Sequence, residues 1–112
     1  MSNHQSILEV VRGIKPWQVL KKIGVQCHGN TWTFTPHIND ALIIMNDLIT
    51  GFKNSIHDPK VLQEWATFML VGPIDFGDLE TDPRFDDIVG ALWDISFGED
   101  VDWKNLKDLM DL

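Results

Sequence analysis

The chain has 112 residues, 44% hydrophobic and 23% charged, enough for one globular domain over residues 1–112, and its composition argues against disordered, collagen-like or coiled-coil architectures. Seventeen acids against nine bases leave a formal charge of −8, and the excess is localised. Residues 1–74 hold five acids and six bases, a balance of +1, while residues 75–112 hold twelve acids and three bases, a balance of −9. Phosphate backbones and anionic membranes are therefore poor partners, which leaves open a basic protein partner or no charged partner at all.

In chain order, the polar opening from Met1 to Ser6 has no apolar core of a signal peptide, and the single cysteine, Cys27, has no internal disulfide partner. Both point to a reducing cytoplasm. Ile7 to Val11 and Trp17 to Ile23 read as two short helices parted near Gly13 and Pro16. From Val25 to Phe34 the pattern alternates with period two on both sides of Gly29-Asn30. This predicts a β-hairpin at 25–34 that sets Cys27 opposite Trp32 and Val25 opposite Phe34, with Gln26, His28, Thr31 and Thr33 on the other face. Cys27 is then expected to be a buried, chemically inert packing residue.

Pro16, Pro36, Pro59 and Pro83 each precede an apolar pattern of helical period, and Thr35, Asp58 and Asp82 stand where a helix N-cap is needed. The helices expected are 36–55, 59–71, 83–97 and 102–111. The first carries Ile38, Ala41, Leu42, Met45, Leu48, Ile49 and Phe52 on one stripe, widened by Ile43 and Ile44, and reads as a central, largely buried helix. Gly72 to Thr81 is the longest loop. The fold class is mainly α, a single helical domain of about five to six helices with one small β-hairpin near residues 25–34.

No known chemistry stands out. Cys27 and His28 are strand neighbours on opposite faces, and His4, His28, His37 and His57 show no metal-ligand spacing. An EF-hand register from Asp78 puts Pro83 where glycine is required and Val89 where a bidentate glutamate is required. Nucleotide-binding glycine loops and nucleophile elbows are missing as well, so no enzyme, no metal and no cofactor is expected.

Two features remain. Five tryptophans are many for this length. Trp65 and Trp93 fall on apolar helical stripes and read as core, whereas Trp103, between Asp102 and Lys104, reads as a residue at the rim of the fold. The acids of the last third form the other feature. Asp82, Asp86 and Asp87 suit the first turns of a helix. Glu99, Asp100 and Asp102 have no such local reason, and nine uncompensated charges repel one another.

The run Leu62-Gln63-Glu64-Trp65-Ala66, then Ile74-Asp75-Phe76, then Ala91-Leu92-Trp93-Asp94-Ile95-Ser96 resembles small bacterial immunity proteins, the cytoplasmic inhibitors paired with polymorphic toxins of contact-dependent and colicin-type systems. The resemblance covers about residues 60–103 and implies one-to-one binding of a cognate toxin domain, typically a basic nuclease. Charge and resemblance together nominate Asp75, Asp78, Glu80, Asp82, Asp86, Asp87, Glu99, Asp100, Asp102 and Trp103 as partner-binding residues. The alternative is a small helical adaptor or assembly subunit that binds another protein without inhibiting it.

Overall fold

The computed structural model describes residues 3–28, 31–33 and 41–110. Within them the chain forms α1 (Asn3–Val11), a 3₁₀ segment (Trp17–Ile23), β1 (Gln26–His28), β2 (Thr31–Thr33), β3 (Ala41–Leu42), α2 (Met45–Ser55) and α3 (Pro59–Val71). It continues through β4 (Ile74–Asp75), a second 3₁₀ segment (Gly77–Thr81), α4 (Phe85–Ser96) and α5 (Trp103–Leu109). The architecture is mainly α with a small antiparallel hairpin, as the sequence pattern leads one to expect.

The clearest match between sequence and structure is α3. Asp58 accepts hydrogen bonds from the N–H groups of Lys60 and Val61, and Pro59 occupies the first turn, where its missing N–H costs nothing. One side of the helix buries Leu62, Trp65, Ala66, Phe68 and Met69. The hairpin also keeps its expected register, with Cys27 opposite Trp32, and its four polar side chains are exposed. Trp32 packs edge-on between Trp17 and Phe68, at centroid distances of 4.8 and 5.6 Å. Cys27 is half-buried rather than fully enclosed. The turn at Gly29-Asn30, the Val25–Phe34 pairing, the Thr35-Pro36 helix start, Ile38, His37 and Asp111 lie outside the described residues.

Four expectations are corrected. Of the helix read over 36–55, residues 41–44 are not helical and α2 begins at Met45, because Ala41 and Leu42 form a parallel bridge with Ile74 and Asp75. The Ala41 N–H donates to the Pro73 carbonyl at 2.8 Å and the Ile43 N–H to that of Asp75 at 3.1 Å. Residues 41–44 alternate buried and exposed, which is strand periodicity; four consecutive apolar residues fit either period until a partner strand decides. The Gly72–Thr81 loop accordingly contains β4 and the second 3₁₀ segment. Trp17–Ile23 is a 3₁₀ segment closed by Gly24 in the left-handed region. Pro83 does not open α4, which begins at Phe85, although the Asp82 carboxylate still accepts from the Arg84 N–H at 2.8 Å.

What ties the N-terminal elements together is specific and partly polar. Asp47, only 5% exposed, accepts from the Ile44 N–H at 3.0 Å and so caps its own helix. Its other oxygen takes the Arg12 Nε–H at 2.7 Å, which fixes α1 to the start of α2. The Trp65 indole N–H donates to the Val11 carbonyl at 2.8 Å, linking α3 to the end of α1. Phe52, Phe68, Leu48, Ile88 and Leu92 fill the core between these helices and α4. The largest helix–helix contact is α3 against α4. Its effect is to bury one face of α4 and leave the opposite face to solvent.

Candidate functional site

The ten nominated residues fall on several surfaces. Asp75 lies in β4, exposed, and its carboxylate accepts from the Gly77 N–H at 2.9 Å, an Asx turn that starts the following 3₁₀ segment. Asp78 and Glu80 project from that segment and are exposed. Asp78 and Asp82 border a hollow of about 310 Å³ beside Leu42–Met45.

Asp82 is half-buried and bound by Arg84, whose Nε lies 3.1 Å from one carboxylate oxygen and whose other guanidinium nitrogen lies 3.1 Å from the second. The side-chain bonds from Arg84, then its backbone N–H, hold the Asp82 carboxyl below the ordinary value of 3.8. The guanidinium also donates to the Leu109 carbonyl at 3.0 Å, which ties the start of α4 to the end of α5.

Between α4 and α5 runs an open groove of about 280 Å³. Asp86, Asp87, Asp94 and Asp102 line it, together with Gly90 and Asn105, and no Lys or Arg is among its lining residues. Asp102 is the N-cap of α5 and accepts from the Asn105 N–H at 3.1 Å. Asp86 and Asp87 are exposed and Asp94 is half-buried, and none of the three makes a side-chain hydrogen bond with the described residues. Sequence reasoning passed over Asp94, yet its signal was present. Asp87 and Asp94 are seven residues apart and Asp86 and Asp94 eight, spacings that return to one side of a helix.

Gly98, in the left-handed region at φ 73°, ends α4 and turns the chain into the exposed Glu99 and Asp100. Glu99 and Trp103 share a hollow of about 390 Å³ with Ile56, Leu62, Ile95 and Lys107. Trp103 is 40% exposed and its ring centroid lies 6.2 Å from that of Phe52, so it sits at the edge of the core, as its sequence position implies. Trp93 corrects the reading that made it core. It is 44% exposed and stacks on Phe97 at 5.6 Å with 19° between planes, and Phe97 itself is 67% exposed. The apolar stripe of α4 runs through Ile88, Leu92 and Ile95, and Trp93, though it follows Leu92 in sequence, is turned about 100° away from it around the helix.

Among the described residues no group of three or more His, Cys, Asp or Glu is placed to hold a metal ion, and no helix is long and apolar enough to cross a membrane. No family model, no curated protein and no solved structure matches this chain.

Proposed function

We propose that this chain is an immunity-type inhibitor that binds and neutralises a basic toxin domain, a nuclease, through the acidic surface of residues 75–103. The observation that carries this reading is the groove between α4 and α5, which four aspartates line and no Lys or Arg among the described residues lines. Like charges held together cost free energy, and a basic partner removes that cost. The charge split along the chain supports the same reading.

The mechanism follows from electrostatics. A nuclease surrounds its active site with lysines and arginines that receive phosphates. Carboxylates at fixed spacing on a folded surface compete for those same groups. They also speed encounter, to about 10⁸–10⁹ M⁻¹s⁻¹ when salt is low. Rapid capture suits an inhibitor whose target would damage the cell that makes it. Once docked, a few partly exposed aromatic side chains slow dissociation.

The test is to co-express the chain with the product of the neighbouring gene, purify the pair and assay nucleic-acid cleavage. A stoichiometric complex without cleavage, and cleavage restored when the chain is removed, is the expected result. A stable complex in which cleavage continues identifies an adaptor instead and overturns the inhibitory role.

A further inference from the structure

We propose that the partner docks on the outward face of α4, centred on Gly90, and that this face takes an arginine-bearing, positively charged segment of a protein. The proposal rests on the neutralisation reading and says where and with what chemistry contact is made. At about 100° per residue, Trp93, Asp86, Phe97, Gly90, Asp94 and Asp87 follow one another around the helix within an arc of about 120°. The buried residues Ile88, Leu92 and Ile95 lie on the other side.

Gly90 sits at the middle of this arc and in the interior of the helix. A glycine there weakens a helix, so its presence asks for a reason. The fold does not supply one, since a Cβ added at Gly90 meets nothing within 4 Å. What the missing side chain leaves is bare backbone between two rings and three carboxylates, a shallow saddle into which another chain can settle closely.

The borders of the saddle state what that chain carries. Trp93 and Phe97, stacked and both exposed in part, are large apolar surface of the kind that marks an interface. Ring faces attract guanidinium groups, and Asp86, Asp87 and Asp94 offer the carboxylates with which a guanidinium pairs through two parallel bonds. Arginine satisfies both at once through its flat, delocalised cation, and lysine satisfies only the charge. A second copy of this chain is a poor occupant, because a symmetric contact sets three carboxylates against their own images. Phosphate-rich nucleic acid and anionic lipid are repelled by the same groups.

The experiment measures binding of the co-purified toxin domain to the unaltered chain and to Gly90→Leu, Trp93→Ala, Phe97→Ala and Ile14→Ala. Ile14 is 60% exposed and lies outside α4, so it controls for loss of exposed apolar surface in general. Gly90→Leu is expected to raise the urea midpoint of unfolding, because leucine favours the helix and its Cβ meets nothing within 4 Å, and to weaken binding by at least about tenfold. Trp93→Ala is expected to weaken binding by at least about tenfold, and Ile14→Ala to leave it unchanged. If the toxin domain binds the unaltered chain and all three α4 variants equally, the docking face lies elsewhere and the neutralisation reading survives. If it does not bind the unaltered chain, both fall. Sedimentation should show a monomer, and a dimer dispersed by Trp93→Ala would give the face to a second copy and overturn the proposal.

Discussion

Gly51 and Gly90 both sit inside helices, and their surroundings are opposite. A Cβ at Gly51 would lie 2.0 Å from the Val11 carbonyl oxygen and 2.6 Å from the Trp65 indole nitrogen, whereas one at Gly90 would touch nothing. The first glycine lets α1, α2 and α3 close upon a buried hydrogen bond. The second borders the open groove between α4 and α5 and has free space beside it. The contrast extends to the acids around them. Asp47 and Asp58 in the first two thirds are committed to capping and, for Asp47, to Arg12. In the last third Asp75, Asp82 and Asp102 are committed in similar ways, and Asp86, Asp87 and Asp94 are not. The first region uses its helix-interior glycine to close the fold, and the second leaves its glycine and three of its acids without a partner among the described residues.

The sharpest way to break this comparison is Gly51→Ala. The methyl group must displace the Val11 carbonyl or the Trp65 ring, so overpacking is added to the loss of a buried hydrogen bond. A destabilisation of about 3–5 kcal/mol in urea unfolding is expected. Next comes Asp47→Ala, expected to lose about 2–4 kcal/mol, since it removes a helix cap and strands Arg12. Asp94→Asn, measured alongside, should change stability by no more than about 0.5 kcal/mol. Equal losses at Asp47 and Asp94 would erase the distinction between committed and uncommitted acids.

Gly90→Ala reverses the sign. It should stabilise the protein by about 0.5–1 kcal/mol, because alanine restricts the unfolded backbone and its methyl group has open space. A loss of stability would mean that something packs on that face. The smallest effect concerns Asp82. Its carboxyl is held below 3.8, so it binds its proton less readily folded than unfolded. Its contribution is therefore present above pH 3.8 and is lost as pH falls through the depressed folded value. A carboxyl NMR titration should place Asp82 below the ordinary value, and Arg84→Ala should move it back upward.

Much of the fold was legible because its signals are local. Asp58-Pro59 marks a helix start with two independent devices, and α3 begins there. Alternation around the hairpin fixed which side chains face inward, and the Cys27–Trp32 register follows from it. The misreading of residues 41–44 comes from long-range pairing. Nothing within Ala41–Ile44 distinguishes a strand from a helix; Ile74 and Asp75, more than thirty residues away, make it a strand. For the candidate surface, charge counting found the acidic third but not its organisation. Asp94 was readable from its helical spacing to Asp86 and Asp87. The exposure of Trp93 was not, because a tryptophan next to a buried stripe reads as core until α3 is seen to cover the other side of α4.

The central claim is that uncommitted carboxylates of the last third draw in a basic toxin domain. Its most direct test is the association rate of the two proteins, by stopped-flow fluorescence, between about 0.1 and about 1 M salt, over which the screening length falls from about 10 to about 3 Å. Association should slow by at least about tenfold while dissociation changes by less than about threefold, and Asn at positions 86, 87 and 94 should flatten that salt dependence. An association rate indifferent to both salt and these three substitutions would contradict the account.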